Sequence, residues 1–319
     1  MRVVVLGAGA VGSLFGARLA GAGNGVTLVG RPAHVAAIQE HGLEVEGIRP
    51  GRFRVDASDH WPAGTDFQAV FLTVKTFDLV TASAELASGQ PTPVPTLVPQ
   101  NGLGVEDLAA TGLRRGGWED PGAWLVRAIH SVPATLLGAG RVRQAGEGEI
   151  LLPRDAGKAE PALRVIAPLV ESMGYVVRRL DEFPREVWRK AAINGAINPV
   201  TADHGILNGR LREEPWRGQS LMLLEEARRV AEAEGFSFSA RELEDDLWRV
   251  VRATAENRSS MLQDVERGRP TEVDQISGEI LRRGEAHGLT LPATRRAVDR
   301  LSRPRPSSPT GPPAESQSS

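Results

Sequence analysis

The sequence predicts an α/β unit built on a mostly parallel sheet, followed by an all-helical unit, and three observations carry that expectation. From Met1 to about Leu180, short apolar runs alternate with helical patterns, as in sheets whose parallel strands are joined by crossover helices. A glycine-rich turn sits directly behind the first of those runs. From Phe183 onward the strand signal stops, and apolar residues recur at helical spacing instead. A chain of 319 residues also exceeds the usual size of one hydrophobic core. The expected organisation is therefore a nucleotide-binding domain over 1–180, a helical domain over 181–302 and a tail over 303–319.

Arg2-Val3-Val4-Val5-Leu6 reads as the first strand and runs straight into Gly7, Gly9 and Gly12, spaced G-x-G-x-x-G; a small-residue helix pattern, Ser13 to Ala22, follows. In a Rossmann-type dinucleotide-binding domain the first glycine permits the tight turn, the second lets backbone approach a pyrophosphate, and the third lets helix and strand pack closely. The helix start then offers free N–H groups and a positive dipole end to the phosphates. Gly7, Ala8, Gly9, Ala10, Val11 and Gly12 are thus candidate cofactor-binding residues, against the alternative of a glycine-rich βα turn that binds nothing.

Val26-Thr27-Leu28-Val29 reads as strand two. A NAD-binding unit would end it with an acid for the ribose hydroxyls, but here Gly30-Arg31 follows. A guanidinium is a permanently charged fork of donors suited to phosphate, so Arg31 points to the 2′-phosphate of NADP. The alternative is a solvated arginine opening a helix at Pro32.

Further strands are expected over Ala69–Val74 and Thr96–Pro99, with a crossover helix over Thr76–Ser88 between them. Gly138, Gly140, Gly146 and Gly148 punctuate β-leaning runs between Ala123 and Leu152, which suggests hairpin-like strands closing the domain. Helices are expected over Val187–Ile197, Leu221–Ala233, Leu243–Val251 and Val273–Ala286. From Arg303 to Ser319, proline and serine dominate and the apolar content is too low to order a core, so a disordered tail is expected.

Composition excludes several classes. A net charge of −2 makes no electrostatic case for nucleic acid or an anionic membrane as partner. With no cysteine there are no disulfides, thiolate nucleophiles or Cys-ligated metals. None of the six histidines stands at a ligand spacing such as H-x-x-x-H, so no metal is expected. With no charged leader before the first strand and no run of 18 apolar residues, the expectation is a cytoplasmic protein without a membrane span. A homodimer is left open.

An α/β nucleotide domain joined to a helical one places the reaction in the cleft between domains, where ligand sites prefer to lie. Lys75 stands at the carboxyl end of its strand and Asn101 holds the matching place on the next, in Pro99-Gln100-Asn101-Gly102. A solvated lysine and an ordinary Asn-Gly turn are the alternatives. Lys190, Asn194 and Asn198 are spaced i, i+4, i+8 and form one polar stripe on a helix, opposite Ala192, Ile193, Ala196 and Ile197. Asparagine is a poor helix former, so two on one stripe argue for use; the alternative is an ordinary polar face fraying before Pro199. Asn257, Ser260 and Asp264 share spacings of three and four. Thr271 and Asp274 could form a capping box, with Glu272 in the first helical turn suiting the dipole.

Taken together, GAGAVG, VKTFD, PQNGLG, WRKAAINGAINPVTA and TAENRSSMLQDVERGRPTEVDQISGEILRRGEAHG resemble the 2-dehydropantoate 2-reductases, or ketopantoate reductases, from residue 1 to about residue 301. The resemblance implies NADPH-dependent reduction of 2-dehydropantoate to (R)-pantoate, a step of pantothenate and coenzyme A biosynthesis, on a small-molecule 2-oxo acid. It implies that Gly7–Gly12 hold the pyrophosphate, Arg31 the 2′-phosphate, and Lys75 and Asn101 the cofactor near the cleft. Lys190 matches the proton donor, Asn194, Asn198 and Asn208 the substrate-binding asparagines, Ser260 the serine that holds the substrate, and Glu272 the glutamate close to cofactor and substrate. Ala134 matches a backbone neighbour of the cofactor. The family commonly reads T-E-I-D-Y-I-N-G where this chain has Gln275 and Ser277 in place of tyrosine and asparagine. Two alternatives stay open: a related NAD(P)-dependent reductase of another 2-oxo acid, and a non-catalytic NADPH-binding regulator.

Overall fold

A computed structural model of the chain describes residues 1–302 except Ala63 and Thr65; the expected tail lies outside the described residues. The chain divides into two compact units, Met1–Ala191 and Ala192 onward.

The first unit is built on six parallel strands in the order β5-β2-β1-β6-β7-β8. These are β1 (Arg2–Leu6), β2 (Gly25–Val29), β5 (Asp56–Ser58), β6 (Ala69–Leu72), β7 (Thr96–Val98) and β8 (Leu125–Arg127). The alternation of β1 explains the layers. Val3 and Val5 pack into one core with Leu14 and Phe15 of α1 (Ala10–Gly21) and Leu163 and Ile166 of α5 (Glu160–Ser172). Val4 and Leu6 pack into the other, with Leu79 and Leu86 of α3 (Leu79–Gly89) and Val105 and Leu113 of α4 (Val105–Arg115). Both faces are covered, which is why the central strands read as unbroken apolar runs.

Around this core lie α2 (Pro32–His41) and two smaller sheets. One joins β3 (Leu43–Gly47), β4 (Gly51–Phe53), β10 (Ala134–Gly138) and β11 (Arg141–Gln144); the other joins β9 (Ile129–His130), β12 (Glu149–Pro153) and β13 (Val176–Leu180). The hairpin expected around Gly138 and Gly140 is β10–β11, antiparallel with an irregularity between Leu136 and Gly138. By contrast β12 pairs antiparallel with β9 and parallel with β13, so that stretch is not one run of hairpins. The expected crossover helix between β6 and β7 begins with a 3-10 turn, Thr76–Asp78, before α3.

The expected boundary at 180/181 precedes α6 (Phe183–His204), whereas the compact units divide inside that helix, because its first half packs with the first unit: Val187, Lys190 and Ala191 line a recess there. The helix does not fray before Pro199 but runs through it to His204.

Among its described residues the second unit contains helices and turns but no strand. After α6 come a 3-10 turn (Asn208–Arg212), α7 (Trp216–Ala233), α8 (Ala240–Ala253), α9 (Ser260–Glu266), a π-helical turn (Asp274–Gly278), α10 (Glu279–Ala286) and α11 (Pro292–Leu301). Ala202, Met261, Leu262, Val273, Ile276 and Leu301 form a core. Ser239 and Ser259 cap α8 and α9 by accepting from Glu242 N and Leu262 N at 3.1 Å each. Buried Glu226 caps α11 from a distance, accepting from Ala293 N at 2.9 Å and Thr294 N at 2.7 Å. Among the described residues no helix is long and apolar enough to cross a membrane.

Candidate active site

The carboxyl ends of β2, β1, β6 and β7 stand side by side, and the sequence candidates of the first unit occupy them in that order: Arg31, the glycine turn, Lys75 and Asn101. From β2 to β7 is three strand spacings, roughly 14 Å. This is the edge on which open α/β sheets bind their ligands.

The three glycines answer to different constraints. Gly7 has φ +108°, and a Cβ on it would lie 2.4 Å from Val74 N; on Gly12 it would lie 2.2 Å from Gly7 O and 2.4 Å from Thr73 Oγ1. Both are therefore required by packing within the protein. On Gly9 the nearest heavy atom to such a Cβ is Gly7 O at 4.0 Å, so the space above Gly9 is open. Gly7 and Ala8 spend their amides on Val29 O, at 2.9 and 2.8 Å, and Gly9 donates to Gly7 O at 2.7 Å. The first donor inside the helix is Ser13 N, to Gly9 O at 2.9 Å, so the amides of Ala10, Val11 and Gly12 are the orphans of the helix start. No side chain caps this end and no acid lies in its first turn. An uncapped positive helix end over an open glycine fits a pyrophosphate.

Arg31 is exposed and is the residue before Pro32 at the start of α2; its carbonyl accepts from His34 N and Val35 N at 3.0 Å each, while its guanidinium has no hydrogen bond or ion pair among the described residues. Behind it His34 is buried and bridges two elements: its ring meets Ser13 Oγ at 2.9 Å, and its Nδ1 accepts from Gly140 N at 2.9 Å. Since Nδ1 accepts, Nε2 carries the proton and donates to Ser13. Burial lowers the His34 pKa. Ala134 opens β10, which packs beside α1, and is half-buried against the first core.

Lys75 is half-buried at the start of the 3-10 turn, and Asn101 is half-buried in the turn after β7. Gln100, Asn101, Gly102, Arg127 and Lys190 line one recess of the first unit. Lys190 Nζ donates to the His130 carbonyl in a short contact. The His130 Nδ1 is enclosed with no hydrogen-bond partner, and burial, then the charges of Lys190 and Arg127, push that ring down to about 3. Burial lowers the pKa of the Arg127 guanidinium, and Glu106 opposes the shift. Sequence reasoning passed over Gln100, Arg127 and His130. The available signal was a lone arginine in the apolar run Leu125-Val126-Arg127-Ala128-Ile129.

In the second unit, Asn194 is half-buried and Asn198 buried, one and two turns beyond Lys190 along the same helix. Ser260 is the exposed first residue of α9, while its neighbour Ser259 is buried and bonded to Thr201 Oγ1 at 2.7 Å. Asn208 is buried in a latch, its Nδ2 donating to Thr254 Oγ1 at 3.0 Å and its backbone N–H to Asn257 O at 3.0 Å. Glu272 is 7% exposed. The capping box suggested by Thr271 and Asp274 does not form. Thr271 Oγ1 accepts from Val273 N at 3.4 Å, and the Asp274 carboxylate accepts from Ser302 Oγ at 2.8 Å.

Comparison with known proteins agrees along nearly the whole chain. A sequence model of the family described as Ketopantoate reductase PanE/ApbA matches residues 3–157, and one described as Ketopantoate reductase PanE/ApbA C terminal matches residues 182–303. A 2-dehydropantoate 2-reductase of Archaeoglobus fulgidus is 32% identical over 295 residues, 92% of this chain and 94% of that protein. One of Halobacterium salinarum is 34% identical over 308 residues, 94% of this chain and 97% of that protein. The crystal structure of a ketopantoate reductase from Ralstonia eutropha JMP134 superposes with TM-score 0.82 at 30% identity, covering 94% of this chain and 97% of that one. The fold is shared more widely: D-mandelate dehydrogenase, solved with NADH and anilino(oxo)acetate, gives TM-score 0.86 at 24% identity, covering 94% and 97%. Matched over both of its units, and at these identities, the chain belongs to the ketopantoate reductase family.

Proposed function

We propose that the protein reduces 2-dehydropantoate to (R)-pantoate with NADPH, the reaction for which its relatives are named. The observation that carries this reading is the recess shared by Asn101 and Lys190, one strand beyond Lys75 and two beyond the open glycine turn. The amides of Ala10, Val11 and Gly12 hold the pyrophosphate, Arg31 holds the 2′-phosphate, and Lys75 and Asn101 hold the nicotinamide side. When bound, the nicotinamide supplies the hydride for the ketone carbon.

Lys190 does the proton work. Alkoxide charge develops on the carbonyl oxygen as the ketone is reduced, and an ammonium within about 3 Å stabilises that charge and donates the proton. The His130 carbonyl fixes the direction of Nζ without taking its charge away. The amides of Asn194 and Asn198 bond the substrate hydroxyl, Ser260 donates to its carboxylate, and Glu272 lies close to cofactor and substrate. Asn208 supports them from its latch with Thr254.

A second reading, reduction of another 2-oxo acid, draws on the two replacements after Glu272. Gln275 Oε1 and Ser277 Oγ are enclosed polar atoms without hydrogen-bond partners, so this turn differs in chemistry from one that carries tyrosine and asparagine. NADPH oxidation measured with 2-dehydropantoate beside a panel of 2-oxo acids decides between them. A higher kcat/KM on another acid overturns the first reading, and NADPH binding without turnover on any acid overturns both.

A further inference from the structure

Arg127 is a buried charge that the proposed chemistry does not use. It is 7% exposed, in the interior of an apolar run, where a methionine or leucine would fill the space without desolvating a cation. Its hydrogen bonds show what the charge is for. One terminal nitrogen donates to Val98 O at 3.0 Å and Ala128 O at 3.2 Å, and the other donates to Gly102 O at 3.1 Å. Its Nε lies 3.4 Å from a Glu106 carboxylate oxygen, which offsets the buried charge without making a well-formed hydrogen bond. The guanidinium thus ties the last residue of β7 and the residue after β8 to the turn that carries Asn101.

That turn is built on glycine. Gly102 at φ +97° and Gly104 at φ +66° hold backbone conformations that other residues rarely adopt. It is clamped on two sides. Gln100 Nε2 donates to Leu72 O at 2.6 Å and Val74 O at 3.1 Å, just ahead of Lys75, and Arg127 holds Gly102 from β8. Asn101 lies between the two clamps.

We propose that Arg127 is a positioning residue for the nicotinamide end of the cofactor, acting through Asn101. The proposal rests on the reading above that the reacting end lies in this recess. A planar fork reaching carbonyls on separate segments is something a lysine ammonium does not reproduce.

The test is binding, so it stands apart from turnover and from the identity of the substrate. Dissociation constants are measured for NADPH and for the adenosine bisphosphate fragment that carries the 2′-phosphate but lacks nicotinamide, on wild type, Arg127→Met and Arg127→Lys. Thermal melts confirm folding. The expected result is that both variants weaken NADPH about tenfold or more while the fragment stays within about twofold. Should Arg127→Met not fold, the Arg127→Lys comparison decides in the same terms. A folded variant that weakens both ligands together, or neither, overturns the positioning role. Equal wild-type affinity for NADPH and the fragment removes the nicotinamide end from this recess, and the proposal goes with it. Absence of turnover on 2-dehydropantoate, by contrast, overturns the proposed reaction and leaves this binding result intact.

Discussion

The Thr73 hydroxyl donates to the carbonyl oxygen of Gly7 at 2.9 Å, and the same oxygen atom of Thr73 lies 2.4 Å from where a Cβ on Gly12 would stand. The turn is thus closed from the side of β6, and its glycines are not equivalent. Gly12→Ala should lower stability by about 1–3 kcal/mol through overpacking. Gly9→Ala should change stability by no more than about 0.5 kcal/mol yet weaken NADPH at least about tenfold, because the methyl group intrudes only on what binds above it. Melts and titrations on the two variants check this; a destabilised Gly9→Ala would contradict the open cradle.

Lys190→Ala should reduce turnover on the order of 100-fold or more. NADPH affinity should stay close to wild type, since phosphate binding is assigned to α1 and Arg31. Steady-state kinetics beside a titration measure both, and unchanged turnover would remove Lys190 from the mechanism.

The Arg31 guanidinium has no partner among the described residues, which leaves its charge available to a 2′-phosphate. Wild type should prefer NADPH to NADH by more than about tenfold, or 1.4 kcal/mol, and Arg31→Ala should erase the preference. Equal wild-type affinities would refute NADP specificity.

Glu272 is buried and stands outside any capping box. Were it only an acid near a helix start, Glu272→Gln would cost roughly 0.3–1 kcal/mol of stability and leave the kinetics alone. The expected outcome is instead a fall in kcat/KM of about tenfold or more with the melt little changed. A destabilised but fully active variant would assign Glu272 to structure.

His130 titrates at about 3 in the folded chain, so between the ordinary histidine value near 6.5 and that point the unfolded chain binds a proton the folded chain does not. Stability is then present above about pH 6.5 and falls as pH drops, with a slope approaching about 1.4 kcal/mol per pH unit for this group. His34, also lowered by burial, adds in the same direction. His130→Phe keeps the carbonyl that Lys190 bonds and should flatten the slope between pH 7 and 5.5 by about 0.6 proton on average, measured by urea unfolding. An unchanged slope would show that the ring is not held neutral.

What the sequence disclosed was what neighbours along the chain control. Gly7, Gly9 and Gly12 could be read because strand, turn and helix lie within about twenty residues, and the stripe of Lys190, Asn194 and Asn198 because a helix repeats. Arg127 and Gln100 could not, since their partners are set by strand order: Arg127 reaches Val98 across 29 residues and Gln100 reaches Leu72 across 28. The pairing of β3 with β11, nearly a hundred residues later, left no local trace either. Asn208 shows the converse. Its motif position suggests a substrate contact, and the latch to Thr254 appears only when α8 is in place.

The π-helical turn over Asp274–Gly278 amounts to one residue more than an α-helical path would need. Upstream of it stands buried Glu272; downstream, Ile280 meets Gly195, whose added Cβ would lie 3.2 Å from the Ile280 Cδ1. Each residue of helix turns the chain by about 100°, so removing one residue here would swing either the acid or the isoleucine to the wrong side. This segment should therefore accept changes of side chain, such as those at Gln275 and Ser277, far more readily than any change of length, and a gap placed here in aligning the chain with a relative would mark an error of alignment or a different enzyme.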